Sequence, residues 1–212
     1  MVKEGYKFGL PPILVGLVCL IPAAYWSTAW YWVAGILIFL GLFVFYFFRD
    51  PDRKIPSEPG IVVAPGDGHV VEIVDEPFDG RPGRRLSIFL SIWDVHVQRA
   101  PVAGRIESVV YRPGRFYAAL RKAASEKNEQ NVIHMQSPAG RLVFKQIAGA
   151  IARRVLCWKN EGEEVALGER VGMIRFGSRV DVWLPPEAQY VARRGQKVKG
   201  GETILAKWNS TT

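Results

Sequence analysis

Between Lys7 and Arg49 the chain carries no charged side chain, and two almost wholly apolar runs, 10–26 and 30–48, fill that interval. Stretches of this length and character suit bilayer-spanning helices, which need about 20 apolar residues. The first run is short and holds Pro11, Pro12 and Pro22, so tilting, kinking or partial entry is compatible with it. Trp26, Trp30, Tyr31 and Trp32 crowd the connection, where amphipathic rings favour a headgroup layer. The spacing predicts a helical hairpin over 1–48. Lys3 and Lys7 precede it and Arg49, Arg53 and Lys54 follow it, a bias that puts both ends in the cytoplasm, at the inner membrane. No small-residue cleavage site follows the first run, which argues against a removed signal peptide.

Charge separates the two parts. Lys3, Lys7 and Glu4 contribute +1 of the formal +8, so nearly all the excess lies from Arg49 onward. A basic domain tethered to a membrane is drawn to anionic lipid. Nucleic acid is the other usual partner of excess base, but the cations are scattered and no stacking motif or recognition helix accompanies them. Cys19 lies in the first apolar run and Cys157 far along the chain, so no disulfide between them is expected. Three histidines show no zinc-ligand spacing, and no metal is expected.

A linker over 49–60, rich in Pro and charge, leads into 61–212, long enough for one domain with a core. Val-, Ile- and Leu-rich runs between Gly, Pro and Asp turns predict strands at 61–64, 69–74, 86–92, 105–112, 141–148, 150–157, 169–175, 179–184 and 202–206. A helix is expected from Arg115 to Glu126, where Ala, Leu, Arg and Lys dominate. The expected fold is mostly β, a single sandwich- or barrel-like domain with one or two short helices behind a transmembrane hairpin.

Four segments carry chemistry-bearing residues. Arg170-Val-Gly-Met-Ile-Arg175 runs through Phe176-Gly177-Ser178-Arg179 into Val180-Asp-Val-Trp-Leu184. A serine held between two strands after a flexible glycine can attack its own preceding carbonyl and become a cofactor. In Ala64-Pro-Gly-Asp-Gly-His69 two glycines let the backbone turn around Asp67 and present its carboxylate, although an Asp capping its own turn has the same pattern. Ser91-Ile-Trp-Asp-Val-His-Val-Gln-Arg99 interrupts an apolar strand pattern with Asp94, His96 and Arg99. Strand alternation would place Asp94 and His96 on one face, where an Asp–His pair can fix a tautomer for proton transfer. A satisfied structural histidine is the other reading. The fourth segment, Ala124-Ser-Glu-Lys-Asn-Glu-Gln-Asn131, is a polar run that a solvated loop would also explain. His134 falls in strand-like Asn131-Val-Ile-His-Met135 and is read as structural.

In this order behind a membrane anchor, these segments resemble the phosphatidylserine decarboxylases, in their short bacterial and archaeal-like form. The resemblance rests on Pro65-Gly-Asp-Gly68, Asp94-Val-His96 with Ala100-Pro101, Asn128-Glu-Gln-Asn131 and Gly177-Ser178. It implies that Ser178 attacks the Gly177 carbonyl, that elimination cuts the chain between 177 and 178, and that residue 178 becomes a pyruvoyl group. The two fragments would stay associated and convert phosphatidylserine to phosphatidylethanolamine. Long members of the family carry a histidine three positions after the match to His96, where this chain has Arg99. His96, oriented by Asp67 or Asp94, is the first candidate for the base, and His69 the second. Arg99 suits a substrate carboxylate or phosphate. Arg179, which replaces the long form's threonine, is a further candidate anion contact. Asn128, Glu129 and Asn131 enter as supporting residues through the motif. The resemblance leaves room for a homo-oligomer. Two other classes stay open: a lipid-binding relative that has lost its base, and a lipoyl- or biotinyl-like carrier, whose modified-lysine context Lys197 and Lys199 lack.

Overall fold

The computed structural model describes residues 1–121, 123–150, 154–175 and 178–208. The chain divides into two compact units, Met1–Pro51 and Asp52–Thr212. In the first, α1 (Lys3–Tyr25) and α2 (Ala29–Phe47) pack as a hairpin, and α1 runs through its three prolines without interruption. Small residues set the approach: a Cβ on Gly41 would overlap the Ile13 side chain and the Gly9 carbonyl, and one on Gly16 would press on Ile38. Such small-residue seams let helices close in lipid, where apolar burial gives no drive to pack. Both helices are long and apolar enough to cross a membrane, and most of their apolar surface faces outward.

The second unit is built from antiparallel strands in three sheets. One sheet joins β1 (Ile61–Val63), β14 (Ile204–Lys207) and β12 (Gln189–Tyr190), in that order. Another joins β4 (Val97–Arg99), β10 (Arg170–Ile174) and β8 (Val155–Cys157). The largest is a curled eight-stranded sheet. Its strands, edge to edge, are β13 (Lys197–Val198), β2 (Gly68–Asp75), β3 (Arg84–Leu90), β11 (Ser178–Leu184), β7 (Gly140–Ile147), β6 (Gln130–Ser137), β5 (Gly104–Arg112) and β9 (Glu164–Val165).

Alternation builds the core. In β11, Val180, Val182 and Leu184 point inward to join Leu86, Ile88 and Phe144. Arg179, Asp181 and Trp183 take the other face, where they are buried as well. Residues of all three sheets meet in this one cluster, including Val62, Leu205, Val171 and Ile174. Gly68 adopts φ +143°, and a Cβ there would run into the Phe89 carbonyl.

The helix expected over Arg115–Glu126 is not what forms. Only α3 (Ala124–Lys127), a single turn, is helical. The described residues before it form a strap of loop and turn whose ends are tied together: Arg115 N–H donates to the Lys127 carbonyl and Glu129 N–H to the Arg115 carbonyl. Leu120 stays 61% exposed, so the strap has no apolar face whose burial would repay helix nucleation. β4, β9, β12 and β13, two or three residues each, had no signal long enough to read. Of the strand expected over 150–157, residues 151–153 lie outside the described residues.

Candidate active site

Ser178 opens β11 and pairs with Leu90, the last residue of β3. β10 ends four residues earlier at Ile174, whose N–H donates to the His96 carbonyl (3.3 Å), while Met173 pairs with Val97. The start of β11 and the 91–96 crossing from β3 to β4 therefore lie at the same end of this pair of sheets. Phe176 and Gly177, and with them the expected scissile bond, lie outside the described residues. By alternation the Ser178 side chain faces inward with Val180. It is fully buried, and its Oγ has no hydrogen-bond partner among the described residues. A hydroxyl buried that way costs about 1–3 kcal/mol, which a merely structural serine would be expected to relieve.

His96 is also fully buried. Its Nδ1 lies 2.9 Å from the main-chain carbonyl of Asp94. A carbonyl can only accept, so the neutral ring carries its proton on Nδ1 and Nε2 is the acceptor nitrogen. The expected carboxylate orienters are engaged elsewhere. Asp94 accepts from the Ser91 N–H (2.9 Å) and hydroxyl (2.7 Å), capping a turn. Residues 91–96 are that turn and not a strand, so alternation does not apply to Asp94 and His96. Asp67 is held by both Arg53 contacts (2.9 and 3.0 Å) and by the Gly200 N–H (2.8 Å), which ties three loops together. His69, the second candidate base, is exposed and pairs across from Phe89, whereas Ser178 pairs across from Leu90. By that parity the two side chains leave opposite faces of the sheet.

Two glutamines that sequence reasoning passed over connect the site. Gln98 Nε2 donates to the His96 carbonyl (2.8 Å). Gln146 Nε2 donates to Gln98 Oε1 (3.0 Å) and to the Leu156 carbonyl (3.1 Å). Asn131 Nδ2 completes the chain on Gln146 Oε1 (3.0 Å). Gln98 and Gln146 are fully buried and Asn131 nearly so. Gly172 leaves the room for this, since a Cβ there would overlap the Gln146 amide and the Leu156 carbonyl. Little in the sequence signals either, since Gln98 stands beside Arg99 in a three-residue strand and Gln146 beside Lys145 in β7. Of the other motif residues, Asn128 holds the strap, exchanging hydrogen bonds with the main chain of Tyr117 (2.9 Å each) and donating to Ala148 (2.7 Å). Glu129 bonds through its main chain to Arg115 and Ala148.

Both arginines expected to meet an anion have protein partners. Arg99 donates to the Gly168 carbonyl (3.0 Å). Arg179, 2% exposed, donates to Asp181 (2.6 Å), Glu72 (3.0 Å) and Ser87 (2.6 Å) on the outer face of the sheet. Arg85 joins Glu72 and Glu76 from the next strand, and Ser125 of α3 donates to Asp181. Burial alone would raise the Glu72 pKa, but hydrogen bonds and charge from Arg85 and Arg179 outweigh it and hold the carboxyl below its ordinary value. The residue after Ser178 is thus locked into a buried, charge-paired cluster.

Residues 40–206 match the family described as phosphatidylserine decarboxylase, a span that includes every motif above. Over 181 residues the chain is 48% identical to the phosphatidylserine decarboxylase proenzyme of Solibacter usitatus (strain Ellin6076), covering 83% of this chain and 86% of that protein. With a buried serine at the start of β11, a histidine held in the turn after β3 and a match over 83% of its length, the chain belongs to the phosphatidylserine decarboxylase family.

Proposed function

We propose that the chain cuts its own Gly177–Ser178 bond and uses the pyruvoyl group formed at residue 178 to convert phosphatidylserine to phosphatidylethanolamine at the cytoplasmic face of the inner membrane. The observation that carries this reading is the buried Ser178 Oγ without a hydrogen-bond partner among the described residues, at the same end of the pair of sheets as His96. The name of the Solibacter relative, a proenzyme, supports processing.

The first step is attack of Ser178 Oγ on the Gly177 carbonyl carbon, with His96 Nε2 as the acceptor of the hydroxyl proton. The amide C–N bond breaks as the ester C–O bond forms, and the freed amine takes a proton. Loss of the residue-178 α-proton then expels the Gly177 carboxylate and leaves dehydroalanine, which exchanges its nitrogen for water oxygen with release of ammonia. Once formed, the pyruvoyl carbonyl supplies an electron sink for the pair left behind as CO₂ departs. The chain's own residues do the positioning. The Asp94 carbonyl fixes the His96 tautomer, the Gln98–Gln146–Asn131 chain holds the His96 backbone, and the Arg179 cluster keeps residue 178 in register.

This location is supported by the two apolar helices and the cations at Lys3, Lys7, Arg49, Arg53 and Lys54. Intact-mass spectrometry of the purified chain tests maturation: a short piece beginning at 178 with a pyruvoyl end is expected. Ser178→Ala should give one uncut, inactive chain, and cutting at the same bond in that variant refutes the nucleophile. His96→Ala should slow maturation or turnover; unchanged rates of both remove the histidine from the mechanism.

A further inference from the structure

The end of the eight-stranded sheet where β11 begins presents a different surface from the rest of the β unit. Four of the eight large apolar side chains that the described residues of Asp52–Thr212 leave exposed gather there: Trp93, Tyr111, Phe116 and Leu120. Trp93, 60% exposed, sits in the turn that follows Leu90, the partner of Ser178. Tyr111 lies in the penultimate pair of β5 and β6, opposite Asn131. Phe116 and Leu120 belong to the strap, which leaves β5 at Arg112 and crosses the outer face. There Leu120 meets His69, Arg179 and Arg194 around a cavity of about 630 Å³.

Charge on the strap is of one sign. From Tyr111 to Ser125 the sequence carries Arg112, Arg115, Arg121 and Lys122 and no acidic residue. Arg112, Arg115 and Arg121 are exposed. Aromatic and aliphatic side chains interleaved with cations suit a headgroup layer that contains anionic lipid, where rings settle at the interface and cations meet phosphate. The same chain carries two helices fit to span a bilayer, so such a surface is at hand. We propose that the strap and the Trp93 turn form a membrane contact of the β unit itself, seating the Ser178 end of the sheet on an anionic bilayer. This contact is a matter of binding and stands whether or not the chain decarboxylates lipid.

The test uses the full chain with Cys19→Ala and Cys157→Ser, carrying a nitrobenzoxadiazole label at Leu120→Cys, in nanodiscs of phosphatidylcholine with or without phosphatidylglycerol. A label at Val191→Cys, exposed beside β12 in another sheet, is the reference. Nitroxides placed high on the acyl chain should quench the label at 120 several-fold more than the label at 191, and aqueous iodide should quench it less. The difference should shrink without phosphatidylglycerol, or when Arg112, Arg115 and Arg121 become Gln. Equal nitroxide and iodide quenching at the two sites overturns the proposal. Shielding at 120 from both quenchers also overturns it, because protein, such as a second copy, would then cover the strap. Phe116→Cys repeats the measurement should Leu120→Cys fail to fold.

Discussion

Replacing Asp181 with Ala should destabilise the β unit far more than its distance from Ser178 would indicate. Asp181 is fully buried and takes Arg179 Nε at 2.6 Å, Arg85 Nη1 at 3.7 Å and the Ser125 hydroxyl. Without it, two guanidiniums that are 2% and 8% exposed keep only Glu72, Glu76 and the Ser87 hydroxyl, and Ser125 loses its acceptor. Removing one partner from a buried pair costs about 3–5 kcal/mol. The remaining carboxylates favour the lower end, about 3 kcal/mol, since Arg179 still reaches Glu72 at 3.0 Å and Arg85 still reaches Glu76 at 2.8 Å. For a domain of this size each kcal/mol moves the midpoint by roughly 2–4 °C, so a drop of about 6–12 °C is expected. Near-UV circular dichroism during heating reads it, with both chains carrying Ser178→Ala so that each unfolds as one piece. Asp181→Asn, whose amide oxygen still accepts, should lose less. A drop under about 2 °C for Asp181→Ala would refute the reasoning that this cluster is held by matched charge.

Gln98→Leu removes one of two hydrogen bonds at the His96 carbonyl and one of two at the Gln146 amide, leaving the Ile174 N–H and the Leu156 carbonyl as partners, so each loss is worth only about 0.5–1.5 kcal/mol; slower appearance of the cleaved fragments on a gel is expected, and wild-type rates with wild-type stability would show the amide chain to be idle. Glu72 contributes a pH dependence whose sign follows from its depressed carboxyl. Its stabilisation is fully present above the ordinary value of 4.5 and is lost as pH falls below that, through the lowered folded value. Midpoints measured against pH should therefore show a shallower acid limb for Glu72→Gln, and superimposable limbs would sink the assignment.

Much of this architecture was legible from residue patterns because period-two alternation is strong wherever one face packs a core. The longer strands follow from that, and the hairpin from the length of its two apolar runs. The strap was not legible: its Ala-, Leu- and Lys-rich composition favours a helix locally, but Gly114 packs against the main chain of Lys127–Glu129 and the segment's ends bond to each other. At the site, Ser178 stood out through its neighbours, and His96 through its place in an apolar run. The orienting partner of His96 did not, because a backbone carbonyl leaves no mark in a sequence. Arg179 misled for a related reason, since an arginine facing substrate and one buried between Glu72 and Asp181 are written with the same letter.

The strands that follow Ser178 do not form a subdomain of their own. β11 lies inside the eight-stranded sheet between β3 and β7, β13 is that sheet's edge, and β14 is the middle strand of the sheet that β1 and β12 flank. On the proposed maturation, the short fragment would be woven through two sheets of the long one and could leave only by unfolding both. The molecularity of folding would change at that moment. The precursor finds its structure as one chain, at a rate independent of concentration; the mature protein, once denatured, could recover only by a bimolecular encounter, and at low concentration it would not. Self-cleavage would then make the native state one the chain reaches once and keeps by its unfolding barrier.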